Sequence, residues 1–493
     1  MLTRLAKATA AAIRTFRRRL QARYEGAQPG GGRRSYIPAF LQDARFDADG
    51  ATRSELVRKS RYFERNSALM NAFCDRFEQF TVGSNGLQLT PASTDEEWNL
   101  RAAEWWSEWC QFPDLTSLQP LSSIQSLIAR TWFVDGEVFI LKTKGATSFP
   151  RIQLIESHRV GTPPRQWDQE GRLMVDGVEV DNRGRPAAYW VRDGFDFEDY
   201  RRIPAESIIH VFEPPRPGMY RGLPFIYPVI NDLHDLDDLQ MLEMQAAKNN
   251  AKIDKVIESV VGEVDAEDLI RGDLTGPDGA NITKYYEAVF GAESKVIRAG
   301  DKYHHWESNR PTVASREYWE YLTSKVCAGV GISKLLIFPW SIQGTVARAD
   351  FDIANAFFRS RSAVMISILK ELWIYVIGLA RFQDMRVADA PHDWTKVTVQ
   401  PPRAVNVDVG RNSAAMLAEL EAGATTYEDV YGPLGKNWRE RIRQRAAEES
   451  YLDQVAREFG VSPERIRKAI GETLRADMEA QAQEREKEET VAA

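Results

Sequence analysis

The chain has 493 residues, of which 43% are hydrophobic and 10% aromatic, and a formal net charge of −7. That length exceeds one ordinary compact domain and suggests roughly two to four. The acidic balance excludes a protein that grips nucleic acid over its whole surface, though not one that lets it pass.

Residues 1–34 are rich in Arg and Ala and nearly free of acids. They read as a basic arm that touches nucleic acid or a neighbouring subunit, with 28–32 as a flexible linker. An organelle transit peptide or a membrane-surface helix is the alternative. Helical spacing follows over 54–80, where Leu56, Tyr62, Phe63, Leu69, Phe73 and Phe77 share a face. The turn Gly83-Ser84-Asn85-Gly86 ends it, and further helices are expected over 96–109 and 122–134. Trp98, Trp105, Trp106 and Trp109 crowd the first of these, which predicts large buried contacts or subunit interfaces.

Short strands are expected at 138–142, 151–155, 173–175, 178–180, 187–191 and 207–212, with Asp176-Gly177 as a hairpin turn. From His210 to Ile230 a strand meets a proline-rich turn and then the start of a long helix. Pro214, Pro215 and Pro217 bar both sheet and helix, and Pro224 suits a first helical turn. The helix should run over 223–253. Strands at 256–260 and 295–298, a helix over 312–330, a loop over 331–345 and a very long helix over 347–382 come next. A strand at 397–400 precedes helices, and the tail after Asp477 is acidic and repetitive.

Cys74, Cys110 and Cys327 lie far apart without C-x-x-C spacing, which fits a reducing compartment and no disulfide framework. No run of about eighteen apolar residues predicts a membrane span; 363–379 comes nearest and is broken by Lys370 and Glu371. Catalytic patterns are weak. In Gly432-Pro433-Leu434-Gly435-Lys436-Asn437, Val430 stands where a phosphate loop needs its first glycine, and Asn437 replaces the hydroxyl residue. His234 among Asp232, Asp235, Asp237 and Asp238 has no second His or Cys nearby, so an acidic helix face is preferred to a metal site. His304 and His305 would point to opposite sides of a strand. No catalytic, metal or cofactor site is therefore assigned. Residues 451–470 read as a helix, a glycine turn and a second helix with Arg465, Arg467 and Lys468; a helix-turn-helix DNA-binding protein is the alternative function.

Five segments, in this order, resemble the lambda-type family of tailed-bacteriophage portal proteins. They are Arg23-Tyr24-Glu25-Gly26-Ala27, the helix from Leu56 through Ser60-Arg61 to Asn66, Pro217-Gly218 through Arg221-Gly222 to Pro224, Ala246-Ala247-Lys248, and Tyr427 to Lys436. The resemblance implies an α+β portal fold and a non-enzymatic ring, typically dodecameric, at one capsid vertex through which double-stranded DNA is packaged and ejected. It implies a strand-rich wing (41–222 and 383–425), stem helices (223–253 and 312–333) and a small α/β clip (254–311). It also implies a tunnel loop (334–346), a long tunnel helix (347–382) and a helical crown with acidic tail (426–493). The expected partners are further copies of the chain, the terminase large subunit, the major capsid protein and scaffold, and head-tail connector proteins. The expected places are the virion and, during assembly, the host cytoplasm. A channel for moving DNA must touch it without holding it, so repeated acids would keep the duplex centred. Asp232, Asp235, Asp238 and Glu243 are candidate lumen-facing acids, or else an ordinary solvated face. Ile342, Gln343, Gly344 and Thr345 are candidates for the constriction, with Arg348 the nearest positive charge.

Overall fold

The computed structural model describes residues 43–44, 48–145, 148–163, 173–192, 199–252, 313–339, 344–402, 404, 416, 418–431 and 438–468, and the short strands 255–258, 288–289, 292–293 and 302–305. The first helix, α1 (Gly50–Asn66), begins where the Asp49 carboxylate accepts the Thr52 amide at 2.8 Å. The single helix expected over 54–80 is in fact two, because Ser67 is extended and α2 (Ala68–Thr81) starts afresh. Two asparagines explain the break. Asn66 Nδ2 donates to the Tyr62 carbonyl at 2.9 Å and Asn71 Nδ2 to the Glu64 carbonyl at 2.6 Å, so side chains satisfy the carbonyls at the helix end. The break brings Phe63 together with Met70, Phe73 and Phe77 in one core.

After β1 (Leu89–Pro91), α3 (Glu96–Gln111) is capped by Asp95 and buries Trp98, Trp105, Trp106 and Trp109. Trp105 Nε1 donates to Asp384 at 2.9 Å and Trp109 Nε1 to the Pro150 carbonyl at 2.8 Å. These tryptophans serve the chain's own core. Helix α4 (Leu121–Asp135) is buried along much of its length and stops at Gly136, whose φ of 83° suits the residue after a helix.

The strands that follow are β2 (Glu137–Lys144), β3 (Pro150–Ile155), β4 (Leu173–Val175), β5 (Val178–Val180), β6 (Pro186–Arg192), β7 (Tyr200–Pro204) and β8 (Ile208–Phe212). They form two antiparallel sheets, ordered β3-β2-β8 and β4-β5-β6-β7. Asp176 and Gly177 join β4 to β5 with φ of 44° and 83°, the double positive φ that this short hairpin needs. Strand β7 was not expected from the sequence. Of its residues only Ile203 is buried, and exposed Arg201 and Arg202 give the charged face of an edge strand. A small core of Phe139, Ile155, Val178, Tyr189, Val191 and Ile203 binds the two sheets.

Helix α5 (Ile230–Lys252) starts seven residues later than the expected 223. Pro228 has no amide to donate back to Pro224, and the Tyr227 and Val229 amides instead close short turns on the Pro224 and Ile226 carbonyls at 2.9 Å each, so 224–229 form tight turns. Strands β9 (Lys255–Glu258), β10 (Ala288–Val289), β11 (Ala292–Glu293) and β12 (Lys302–His305) pair β9 with β12 and β10 with β11. The strand expected at 295–298 lies outside the described residues. Helix α6 (Val313–Val330) returns antiparallel in sequence order to α5 and contacts it.

A short helix, α7 (Lys334–Ile337), occupies part of the expected loop, and α8 (Gly344–Ala380) begins three residues before the expected 347. By length and composition α8 could cross a membrane, yet Phe358, Leu369, Leu372, Trp373 and Ile377 on it are buried in the main core. Strand β13 (Val397–Val399) pairs with β1, Leu89 lying opposite Val399. Then come α9 (Tyr427–Tyr431), α10 (Trp438–Phe459), a turn at Gly460 and helical residues 463–468. The fold is α+β.

Trp373 is 0% exposed and meets Trp106 at 5.3 Å between ring centroids. Trp373→Ala should destabilise by about 3–5 kcal/mol through the cavity it leaves. Exposed Phe382, changed to Ala, should cost less than about 0.5 kcal/mol. Chemical denaturation of the two variants checks both values.

Candidate functional site

The chain leaves its sheets for the α5–α6 hairpin through residues 212–230, and one buried carboxylate organises that passage. Glu137, the first residue of β2, is 0% exposed. It accepts Arg221 Nη2 at 2.6 Å, Arg221 Nε at 3.0 Å, Ser157 Oγ at 2.7 Å, His210 Nε2 at 3.1 Å, Arg53 Nη1 at 3.3 Å and the Gly222 amide at 2.8 Å. Arg221 spends its other donors on the carbonyls of Ser157, Val160 and Asp176, and its guanidinium lies 5.3 Å from the Phe139 ring centroid. Arg53, from α1, also bonds Asp176 at 2.5 Å and Ser157 Oγ at 2.6 Å. Two guanidiniums thus meet two carboxylates in a nearly dry site, where a charge left unpaired would be costly.

Burial by itself would raise the Glu137 carboxyl; the Arg221 charge, the His210 hydrogen bond and the Arg53 charge overcome this and hold it well below the ordinary carboxylate range. Burial lowers His210, and the two arginines add to that against the pull of Glu137. Its ring is therefore neutral. Because Glu137 only accepts, Nε2 carries the proton and Nδ1 receives the Tyr189 hydroxyl at 3.4 Å. The ring is sandwiched between Phe139 and Phe212, with centroids at 4.2 and 4.1 Å.

Space is as tight as charge. A β-carbon on Gly222 would stand 2.0 Å from the Gly136 carbonyl oxygen, and one on Gly136 would stand 2.0 Å from the Leu223 carbonyl carbon. Backbone therefore crosses backbone where α4 ends and the hairpin approach begins. The segment around Ser60 and Arg61 reaches the same place: Ser60 Oγ donates to the Val134 carbonyl at 2.6 Å, and Arg61 grips Asp135 at 2.8 and 2.5 Å. Two of the segments singled out in the sequence, 56–66 and 217–224, are thus joined at residues 134–137. The sequence did not single out Glu137, Arg53 or Ser157, and it marked Asp176 and His210 only as a turn residue and a strand residue. The one available signal was a glutamate heading an otherwise apolar strand.

The expected channel residues divide. Asp232 accepts Lys325 Nζ at 2.6 Å and Glu243 accepts Ser315 Oγ at 3.1 Å, so both are turned towards α6. Positions 232, 236, 239 and 243 recur at helical spacing and are partly or fully buried. Asp235 and Asp238 are exposed. Ile342 and Gln343 lie outside the described residues, Gly344 and Thr345 open α8, and Arg348 is exposed just beyond them.

His234 packs on the ring of Phe63 at 4.6 Å and stacks on Tyr62 at 6.4 Å, an aromatic contact rather than a ligand set. Among the described residues no group of three or more His, Cys, Asp or Glu could hold a metal ion. His304 and His305 occupy successive positions of β12. Residues 432–437, the near phosphate loop, lie outside the described residues.

Residues 38–338 match the family model described as phage portal protein, lambda family. The probable portal protein of Halomonas phage phiHAP-1 is 23% identical over 299 residues, covering 56% of this chain and 56% of that protein. Portal protein B of Escherichia phage lambda is 27% identical over 360 residues, covering 64% of this chain and 66% of that one. The chain thus spans about 56 to 66% of the length of these relatives. A chain from the solved neck of an empty GTA particle aligns with 77% of this chain and 94% of its own length, at 13% identity and a TM-score of 0.45.

Glu137→Gln should destabilise by about 3–5 kcal/mol, since Arg53 and Arg221 stay buried with half their compensation gone. The Glu137 pKa is depressed on folding, so its contribution is complete above the ordinary value of 4.5 and fades as pH falls below it. Denaturation from neutral pH downwards should show wild type and variant converging only in that acid range. For shape, Gly222→Ala should abolish soluble folded protein, while Gly145→Ala, whose nearest neighbour would be at 3.6 Å, should be tolerated.

Proposed function

The chain belongs to the lambda family of phage portal proteins, and on that basis we propose that it is the subunit of a ring at one capsid vertex through which double-stranded DNA is packaged and later ejected. Residues 41–222 and 383–425 form the wing, α5 and α6 the stem, 254–311 the clip and 426–493 the crown. The ring, a dodecamer in this reading, sits in the virion after assembly in the host cytoplasm. The clip receives the terminase large subunit first and the head-tail connector proteins later, while outer surfaces meet the major capsid protein and scaffold. The role is passage and docking, with no bond made or broken by the chain itself.

The observation that carries this reading is the Glu137–Arg221 lock at the passage from sheet to hairpin. Force from moving DNA would reach the stem and must be borne by the wing. A joint with satisfied charges and crossing backbones is stiff in the way that task requires. Asp235 and Asp238 then supply the acidic stripe of the channel, repeated in every subunit, and repel phosphates that a basic lining would hold. Asp232 and Glu243 instead tie the two stem helices together. Ile342, Gln343, Gly344 and Thr345 form the constriction, with Arg348 at its margin.

Negative-stain images of the purified protein should show rings with an axial hole; strictly monomeric or dimeric particles at every salt concentration would overturn the reading. Gln343→Trp and Gly344→Trp should leave rings intact while blocking DNA packaging or retention. If packaging and retention are normal in both, the constriction lies elsewhere. Asp235→Lys with Asp238→Lys should slow packaging in assembled rings, read as DNA protected from nuclease over time.

A further inference from the structure

Besides the basic arm of residues 1–34, the acidic chain carries a second concentrated basic segment that the channel reading leaves unused. Residues 439–445 contain Arg439, Arg441, Arg443 and Arg445 against Glu440 alone, within a chain of net charge −7. They lie near the start of α10, a helix exposed over most of its length. Positions 441, 445 and 449 follow one another at four-residue spacing, so Arg441, Arg445 and Glu449 form a stripe along one side. The helical residues after the Gly460 turn come back to that same side: Arg467 pairs with Glu449, eighteen residues away. Glu449 is therefore bracketed by two guanidiniums, Arg467 in hydrogen-bonding contact and Arg445 at 3.9 Å.

The bracket is open to solvent. The Arg445 side chain is 80% exposed and that of Arg467 45% exposed, and Arg441 bonds a neutral amide, Gln444 Oε1, at 2.9 Å. Glu448, which accepts Gln444 Nε2 at 2.9 Å, is a second carboxylate nearby, so three guanidiniums meet two carboxylates and positive charge stays in excess on this side. Guanidinium forks fit phosphate oxygens two at a time, which suits them to a polyphosphate backbone. Reading bases would need the side chains of helix 463–468 to project into a groove. Arg467 is instead drawn back onto Glu449 of α10, so the helix-turn-helix outline does not present it to base edges.

We propose that the α10 side bearing Arg441, Arg445 and Arg467 is a non-specific contact for the phosphate backbone of double-stranded DNA. This rests on the portal reading for where the DNA comes from, and adds a gripping surface to a channel otherwise built to repel. The acidic stripe centres a moving duplex, whereas a few exposed arginines at the crown slow or steady it without a fixed register. Such contacts are weak singly and multiply around a ring.

The test uses the full-length protein and a fluorescent duplex of about 30 base pairs, titrated between about 50 and 200 mM salt. Wild type should bind with a steep salt dependence and without preference between unrelated sequences. Arg441→Ala with Arg445→Ala should reduce the slope of log affinity against log salt by about 1.8 for each engaged subunit. Arg58→Ala, an exposed arginine on α1 paired with Glu55, should leave the slope unchanged. No binding by wild type at the lowest salt, an unchanged slope in the double variant, or a tenfold preference for one sequence would each overturn the proposal. Loss of rings in the double variant would also overturn it, making the patch a contact between subunits. Negative stain of the same samples separates the two readings, since a failed portal reading means no rings in wild type either.

Discussion

Everything that connects the sheets to the long hairpin passes one buried carboxylate. Glu137 receives donors from α1, from the turn after β3, from β8 and from the approach to α5, so four separate stretches of chain meet on two oxygen atoms. Burying that charge costs several kcal/mol, and the cost is offset only while Arg221, Arg53, Ser157 and His210 all keep their geometry. Such a cluster tolerates no gradual loosening, because losing one partner strands another. The glycine crossing at 136 and 222 adds a steric condition to the electrostatic one. Together they give the hairpin one direction of departure from the body.

The acids of α5 show how two sides of one helix can serve two purposes. Asp232 and Glu243 face α6 and hold the hairpin closed through Lys325 and Ser315. Asp235 and Asp238 stand away from that contact and face solvent. A helix places successive residues about 100° apart, so positions 232 and 243 fall on nearly the same side while 238 lies about 120° round from 232. In the portal reading the first pair supports the stem and the second meets the DNA.

Much of the fold was legible beforehand, though not its site. Local signals carried the helices, the Asp176-Gly177 hairpin and the alternation of strands. They failed where tertiary contacts compete. Asparagine side chains divided the helix at Ser67, and charged Arg201 and Arg202 concealed β7. Arg221 and Gly222 were noticed as part of a recognisable string, but their partner, Glu137, lies 84 and 85 residues away. No periodicity links positions so far apart.

By itself the sequence determined the α+β class, the family resemblance and the place where sheet gives way to helix, because proline geometry, glycine and apolar spacing act over a few residues. Only the tertiary structure decided which charges are buried together and which acids of α5 stay exposed. Those outcomes depend on desolvation and on distances between segments remote in the chain, and both exist only once the chain has folded.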